Sequence, residues 1–205
     1  MRSPPPPPRS SRLLPEDWLG PLDLDGAWTQ RGPRIVDLGC GKGRFLLAHA
    51  LRNPEARLLG VERKLRRIRK IDHKAYKAGL ENIRLLRMEA HYTMGYLIPA
   101  SWIDQLFVYF PDPWPKDRHH KNRIFSPEFL DTVDRTLAAD GIVHFATDHA
   151  PYAEQVREIL GGDPRWTAAA VYEPLEEEIS DFELMWRDQR PTERYSFRRA
   201  EHPGG

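Results

Sequence analysis

The feature that most restricts how this chain can fold is a repeated order: a short apolar run rich in β-branched residues, a break, then apolar residues spaced three and four apart. "RIVDL" (34–38) ends at "GCGKG", and "RFLLAHALRN" follows with helical spacing that stops before Pro54. "ARLLGVE" precedes "RKLRRIRKIDHKAYKAGL", where Leu65, Ile68, Ile71 and Ala75 recur at helical intervals and Gly79 marks the stop. A third unit runs from "NIRLLRME" through a helix-like stretch ending near Leu97. "WIDQLFVYF" is a fourth strand; after a loop, "SPEFLDTVDRTLAAD" offers Ser126 as a cap and Pro127 as a helix opener. "GIVHFATD" and "APYAEQVREIL" form the fifth pair. Such alternation predicts an α/β fold, a mostly parallel sheet covered by helices on both faces. Right-handed crossovers bring the C-terminal ends of its strands to one rim. "TERYSFRR" reads as a last strand, added antiparallel at one edge.

A chain of 205 residues suits one such domain, expected over residues 16–205. The opening "MRSPPPPPRSSR" cannot build a core, and residues 1–15 are expected to be a disordered, proline-rich tail. With 31 basic and 30 acidic residues the net charge decides nothing, so local charge must. Cys40 is the only cysteine, which excludes an intrachain disulfide and fits a reducing, cytoplasmic setting. No apolar run is long enough to span a bilayer, so no membrane partner is expected.

Acids recur at the predicted strand ends: Asp37, Glu62, Glu89, Asp112 and Asp148. Any one of them suits a turn, but Glu is a poor turn residue, and the full set points to a site. Gly39, Gly41 and Gly43 let the backbone turn tightly beside a ligand, at a spacing unlike the dinucleotide fingerprint and with no phosphate-loop lysine. Glu62 stands 21 residues after Gly41, where an acid accepts ribose hydroxyls. Asp37 suits a cationic group. A nucleoside with a cationic amino-acid tail is S-adenosyl-L-methionine.

"DLGCGKG", "GVE", "PDPWPKDRHHKNR" and "ATD", in this order and spacing, resemble the tRNA (guanine-N7)-methyltransferase family from about Arg34 onward. The "PDPWPKxRHHK" segment is the specific part. The resemblance implies a Rossmann-like methyltransferase sheet, S-adenosyl-L-methionine as cofactor, and a tRNA guanine of the variable loop as substrate. A monomer or homodimer is expected. The resemblance carries cofactor contacts onto Asp37, Glu62, Glu89 and Asp112, and substrate contacts onto Lys116 and Asp148. The family's C-terminal Thr-x-Phe/Tyr-Glu motif falls on Ser180, Asp181, Phe182 and Glu183, with Ser180 in place of Thr; "TERY" (192–195) is the other placement.

Guanine N7 has an in-plane lone pair and no proton, so alignment with a methyl donor matters more than a strong base. Asp112 is the candidate catalytic residue, either stabilising the migrating positive charge or accepting hydrogen bonds from guanine N1 and N2. Pro111, Pro113 and Pro115 stiffen its loop, and Trp114 is either a stacking plane or a core residue. Lys116, Arg118, Lys121 and Arg123, with His119 and His120, are expected to meet phosphates. The basic run 63–70 is either a further RNA contact or a solvated helix face. The two histidines lack partners at a zinc-like spacing, so no metal is expected. A methyltransferase for another acceptor and a non-catalytic RNA-binding relative are the alternative readings.

Overall fold

The structure is a computed structural model that describes residues 10–15, 17–114, 116, 118 and 123–200. An eight-stranded sheet has the order β1-β4-β3-β2-β5-β6-β8-β7. In chain order its elements are β1 (Arg12–Leu13), β2 (Arg34–Leu38), α1 (Arg44–Arg52), β3 (Arg57–Val61), α2 (Leu65–Lys77), β4 (Ile83–Leu86), α3 (Ala90–Tyr92), β5 (Ile103–Tyr109), α4 (Pro127–Thr136), β6 (Leu137–Thr147), α5 (Ala150–Gly161), β7 (Trp166–Ala168), α6 (Asp181–Trp186) and β8 (Glu193–Arg199). Strands β1 to β6 pair in parallel; β8 runs antiparallel, as the sequence predicts for a final strand, but it lies between β6 and β7 rather than at the edge, which β7 forms.

Two further expectations move. The tail boundary at residue 15 lies too late: Arg12 and Leu13 pair with Leu85 and Leu86, and the backbone of Leu85 bonds to Ser11. The polyproline run itself lies outside the described residues. Strand β6 begins at Leu137 rather than at "GIVHF", because α4 ends at Thr136 and "LAAD" continues directly into the sheet. Ser126 does cap α4, its hydroxyl accepting the Phe129 N–H at 3.2 Å, and Pro127 opens the helix.

Alternation along β2 divides the core. Ile35 packs with Phe45, Leu46, Ile68, Ile71 and Phe107 under α1 and α2, while Val36 and Leu38 join the larger cluster under α4 and α5. Parallel strands covered on both faces are apolar throughout, which explains why four of the five residues of β2 and of β3 are buried. Phe107, fully buried in β5, stacks on His144 at 4.6 Å and meets Phe45 at 4.7 Å and Tyr172 at 5.2 Å.

The Phe107→Ala variant should lose about 3–5 kcal/mol of stability, read as a shift in the urea midpoint at constant slope.

Candidate active site

The turn after β2 is built by backbone geometry. The N–H groups of Gly39 and Cys40 both donate to the Val61 carbonyl at 2.9 Å, which folds the turn onto the end of β3. At Gly43 the chain takes φ +78° and starts α1, and a Cβ there would lie 2.7 Å from Cγ1 of Ile71, so a glycine is needed for both reasons. Asp37, just before the turn, is 4% exposed and accepts no hydrogen bond among the described residues. Burial, reinforced by the nearby Glu62 carboxylate, pushes its pKa up to about 7.

Two adjoining cavities occupy the rim. One, about 320 Å³, is lined by Gly39, Glu62, Glu89, Arg67, Asp112 and Trp114 among others. The other, about 360 Å³, includes Asp37, Gly41, Gly43, Asp148, Ser180 and Phe182 in its wall. Gly39, Arg67, Tyr109, Phe110, Pro111 and Asp112 belong to both. Asp112 is exposed and makes no hydrogen bond or ion pair among the described residues.

The Glu residues at the strand ends also hold the starts of the helices that follow. Glu62 accepts the Lys64 N–H at 2.7 Å and pairs with Arg67 at 2.9 Å. Glu89 accepts the N–H groups of His91 and Tyr92 at 3.0 and 2.9 Å, an N-cap made by Glu. Neither serves as a turn residue: Glu89 is a helix N-cap, and Glu62 holds the residue at the N-cap position of α2 from outside the helix.

The loop after β5 is held by a residue the sequence assigns to phosphate. Arg123 is 3% exposed, donates from Nε to the Pro113 carbonyl at 2.7 Å, also bonds Gln155, and lies over the Tyr152 ring at 4.9 Å. It is therefore a clamp on the loop and not a phosphate contact. Phe110 and Trp114 adopt φ of +50° and +42°, costly for side chains of that size. Trp114 lines the cavity rather than the core. Lys116 and Arg118 are exposed; Pro115, His119, His120 and Lys121 lie outside the described residues.

The C-terminal motif splits. Ser180 caps α6 through the Glu183 N–H at 3.1 Å, and Asp181 and Phe182 face the second cavity, Phe182 stacking 5.2 Å from Phe110. Glu183 is 8% exposed and paired with Arg194 at 2.5 Å, outside the lining of either cavity, as is Lys116. Asp148 pairs with Arg190 at 2.9 Å. "TERY" lies in β8, away from the cavity walls.

What attaches this segment to the glycine turn is Glu178, fully buried and unsuspected from the sequence. Its carboxylate accepts from His49 Nδ1, Arg52 and Tyr172 at 2.8, 2.8 and 2.7 Å and from the Leu175 N–H at 3.1 Å. Burial alone would raise its pKa, but these bonds outweigh that and hold it below the ordinary carboxylate value. Arg44, the first residue of α1, adds a bond to the Ile179 carbonyl at 2.8 Å. Among the described residues no three His, Cys, Asp or Glu side chains gather as a metal site, and no helix is long and apolar enough to cross a membrane.

An open α/β sheet with a glycine turn and acids at its carboxyl rim is the architecture of a methyltransferase of the Rossmann-like class. A family model described as a putative methyltransferase matches residues 31–189. Among solved structures, the 16S rRNA methyltransferase KamB has the same fold at TM-score 0.63 and 19% identity, covering 85% of this chain and 91% of that one. An antibiotic-related methyltransferase gives 0.61 at 17% identity, covering 93% and 98%. The tRNA (guanine-N(7)-)-methyltransferase of Alkalilimnicola ehrlichii is 32% identical over 198 residues, 90% of this chain and 80% of that protein. That of Halorhodospira halophila is 39% identical over 147 residues, 72% of this chain and 64% of its relative. The chain belongs to the tRNA (guanine-N7)-methyltransferase family.

The unfolded chain ionises Asp37 near the ordinary value of 3.8, whereas the folded chain keeps the proton up to about 7. Between these values the folded state binds more protons, so stability should fall as pH rises from about 4 to about 7 and then level off. Asp37→Asn should remove this part of the decline and melt higher than the parent at pH 8, by about 2–4 °C per kcal/mol relieved. Thermal melts from pH 5 to 8 measure it.

Proposed function

We propose that this protein transfers the methyl group of S-adenosyl-L-methionine to N7 of a guanine in tRNA. The observation that carries this reading is Asp112, a carboxylate with no ion-pair partner among the described residues, on the wall shared by two cavities, one with ribose-binding chemistry and the other leading to the C-terminal motif. The family relationship supports the same substrate.

The residues present fit the cofactor. Asp37 is a buried carboxylate with no ion-pair partner among the described residues, so an ammonium beside it would restore ionisation. Glu62 and Glu89 each retain lone pairs beyond those used on helix N–H groups, available to ribose hydroxyls and to an amino group on the base ring. The cofactor, when bound, supplies an activated methyl on sulfonium. Transfer to the guanine N7 lone pair would make an N–C bond at the expense of the C–S bond, whose electrons would stay on sulfur, and would shift positive charge onto the imidazole ring; Asp112, on the wall common to both cavities, would stabilise that charge.

Asp148, Ser180, Asp181 and Phe182 form the candidate guanine side, Phe182 offering a ring face and the polar groups hydrogen bonds. The Glu183–Arg194 pair holds the end of this segment instead of meeting the base directly. Lys116 and Arg118 supply exposed positive charge beside the cavity for the RNA backbone. A tRNA substrate also favours a cytoplasmic protein.

Labelled methyl transfer into unmodified tRNA, followed by reductive and aniline cleavage, tests the reading. Label at one alkali-labile guanine is expected; label at a base that resists this cleavage would replace N7 with another acceptor atom. Asp112→Ala should lower kcat by about 10² while calorimetry finds little change in cofactor affinity. Equal losses in both would restrict Asp112 to cofactor binding.

A further inference from the structure

We propose that the outward face of α2 is a second docking surface for the tRNA, holding backbone phosphates at a distance from the guanine that is methylated. This rests on the tRNA reading above and adds a separate site to it.

Helix α2 buries Ile68, Ile71 and Ala75 against the sheet. On the opposite side Arg66, Lys70, His73 and Lys77 form an exposed stripe, flanked by Arg69 and Lys74. Among the described residues none of these six side chains has an ion-pair partner, in a chain whose basic and acidic residues nearly balance. The only acid within α2, Asp72, is directed elsewhere: it accepts the Ser11 N–H at 2.7 Å and the Ser10 hydroxyl at 2.9 Å, and pairs with Arg12. The stripe is thus left as uncompensated positive charge.

Helix stability does not account for this arrangement. The N-terminal end of a helix carries positive partial charge and favours acids, yet α2 has none in its first turn and Arg63, Lys64, Arg66 and Arg67 crowd there. Lys64 at the cap position makes no side-chain capping bond, and Glu62 from outside the helix must satisfy its N–H. Dipole and side chains add to one anion-attracting field. A shallow surface depression runs along the same side, lined by Leu65, Arg66, Arg69, Lys70, His73 and Lys74.

The placement separates this surface from the reaction site. Lys64 and Arg67 line the first cavity, so α2 starts at its rim; a helix of 13 residues then runs about 20 Å away from it. Neighbours in the stripe lie about 5–6 Å apart, suited to a row of phosphates. Uniform, sequence-independent charge of this sort fits an RNA backbone and not base edges. A loop carrying the target guanine cannot by itself cover both ends, so the far end meets another part of the folded RNA.

The test is the triple substitution Arg66→Ala, Lys70→Ala, Lys77→Ala, all exposed positions where alanine favours the helix. For tRNA, KM should rise about tenfold or more and the plot of log affinity against log salt should flatten by about two to three contacts. The kcat should stay within about twofold and cofactor affinity should not change. A triple variant that keeps the charge, R66K/K70R/K77R, should restore both KM and slope. An unchanged KM and slope overturns the proposal, and so does an equal loss of cofactor affinity, which would mean a disturbed fold. Filter binding of tRNA reads this surface even where no methyl is transferred, so failure of the N7 reading and failure of the docking surface give different results.

Discussion

Parallel pairing of β2 with β5, in register with Asp37 opposite Phe107, brings together chain segments 70 residues apart in sequence. At this point the strand order reverses, β3 and β4 lying to one side and β6 to the other. Turns leaving two such strands diverge to opposite faces and leave a crevice between them. The glycine turn borders it from β2 and the proline-rich loop from β5. Because Asp37 and Phe107 are paired partners, Phe107 buried among His144, Phe45 and Tyr172 also fixes the height of Asp37 within the crevice.

Two buried polar residues then attach two segments of the rim to this frame. Arg123 holds the Pro113 carbonyl and spans to α5, so the loop carrying Asp112 is tied at its far end to a helix. Glu178 does the same for the segment leading into α6, with three side-chain donors from α1 and from Tyr172. Buried charges of this kind contribute little net stability compared with apolar packing, but removing one leaves the others unsatisfied. Their effect is to give each loop one position. His144, stacked beneath Phe107 and bonded to Ser196, has its pKa lowered to about 4 by burial and by the neighbouring His49, so it is a neutral part of this core at physiological pH.

Most of the fold was legible in the sequence because strand and helix periods differ and the breaks between them are strong. Ile68, Ile71 and Ala75 of α2 could be read as its buried face without any structure. The edges were less legible: Arg12 and Leu13 form too short a strand to produce a period, and their pairing depends on where β4 stops. In the site, the positions of Asp37, Glu62, Glu89 and Asp112 followed from strand ends, since the topology assembles those ends. Side-chain direction did not follow. Arg123 belongs to a basic run in sequence yet turns inward, and Glu178 is indistinguishable by composition from its exposed neighbours Glu176 and Glu177. Both depend on partners from other elements, which no local pattern encodes.

Glu89 caps a helix and Glu62 anchors the approach to one, while both line the cavity, and that double use affects how sites of this kind decay over evolutionary time. A descendant that lost catalysis would still use the Glu89 carboxylate to begin α3 and the Glu62 carboxylate to hold Lys64 and Arg67 at the start of α2, so selection for folding alone would favour keeping them. Asp37 is different: it accepts no hydrogen bond among the described residues and its burial opposes folding near neutral pH. Asp112 is exposed and makes no hydrogen bond or ion pair among the described residues. Without a function to maintain them, these two aspartates would be the first to drift. Of the acids around the cavities, the pair that contributes nothing to the fold is therefore the better record of activity.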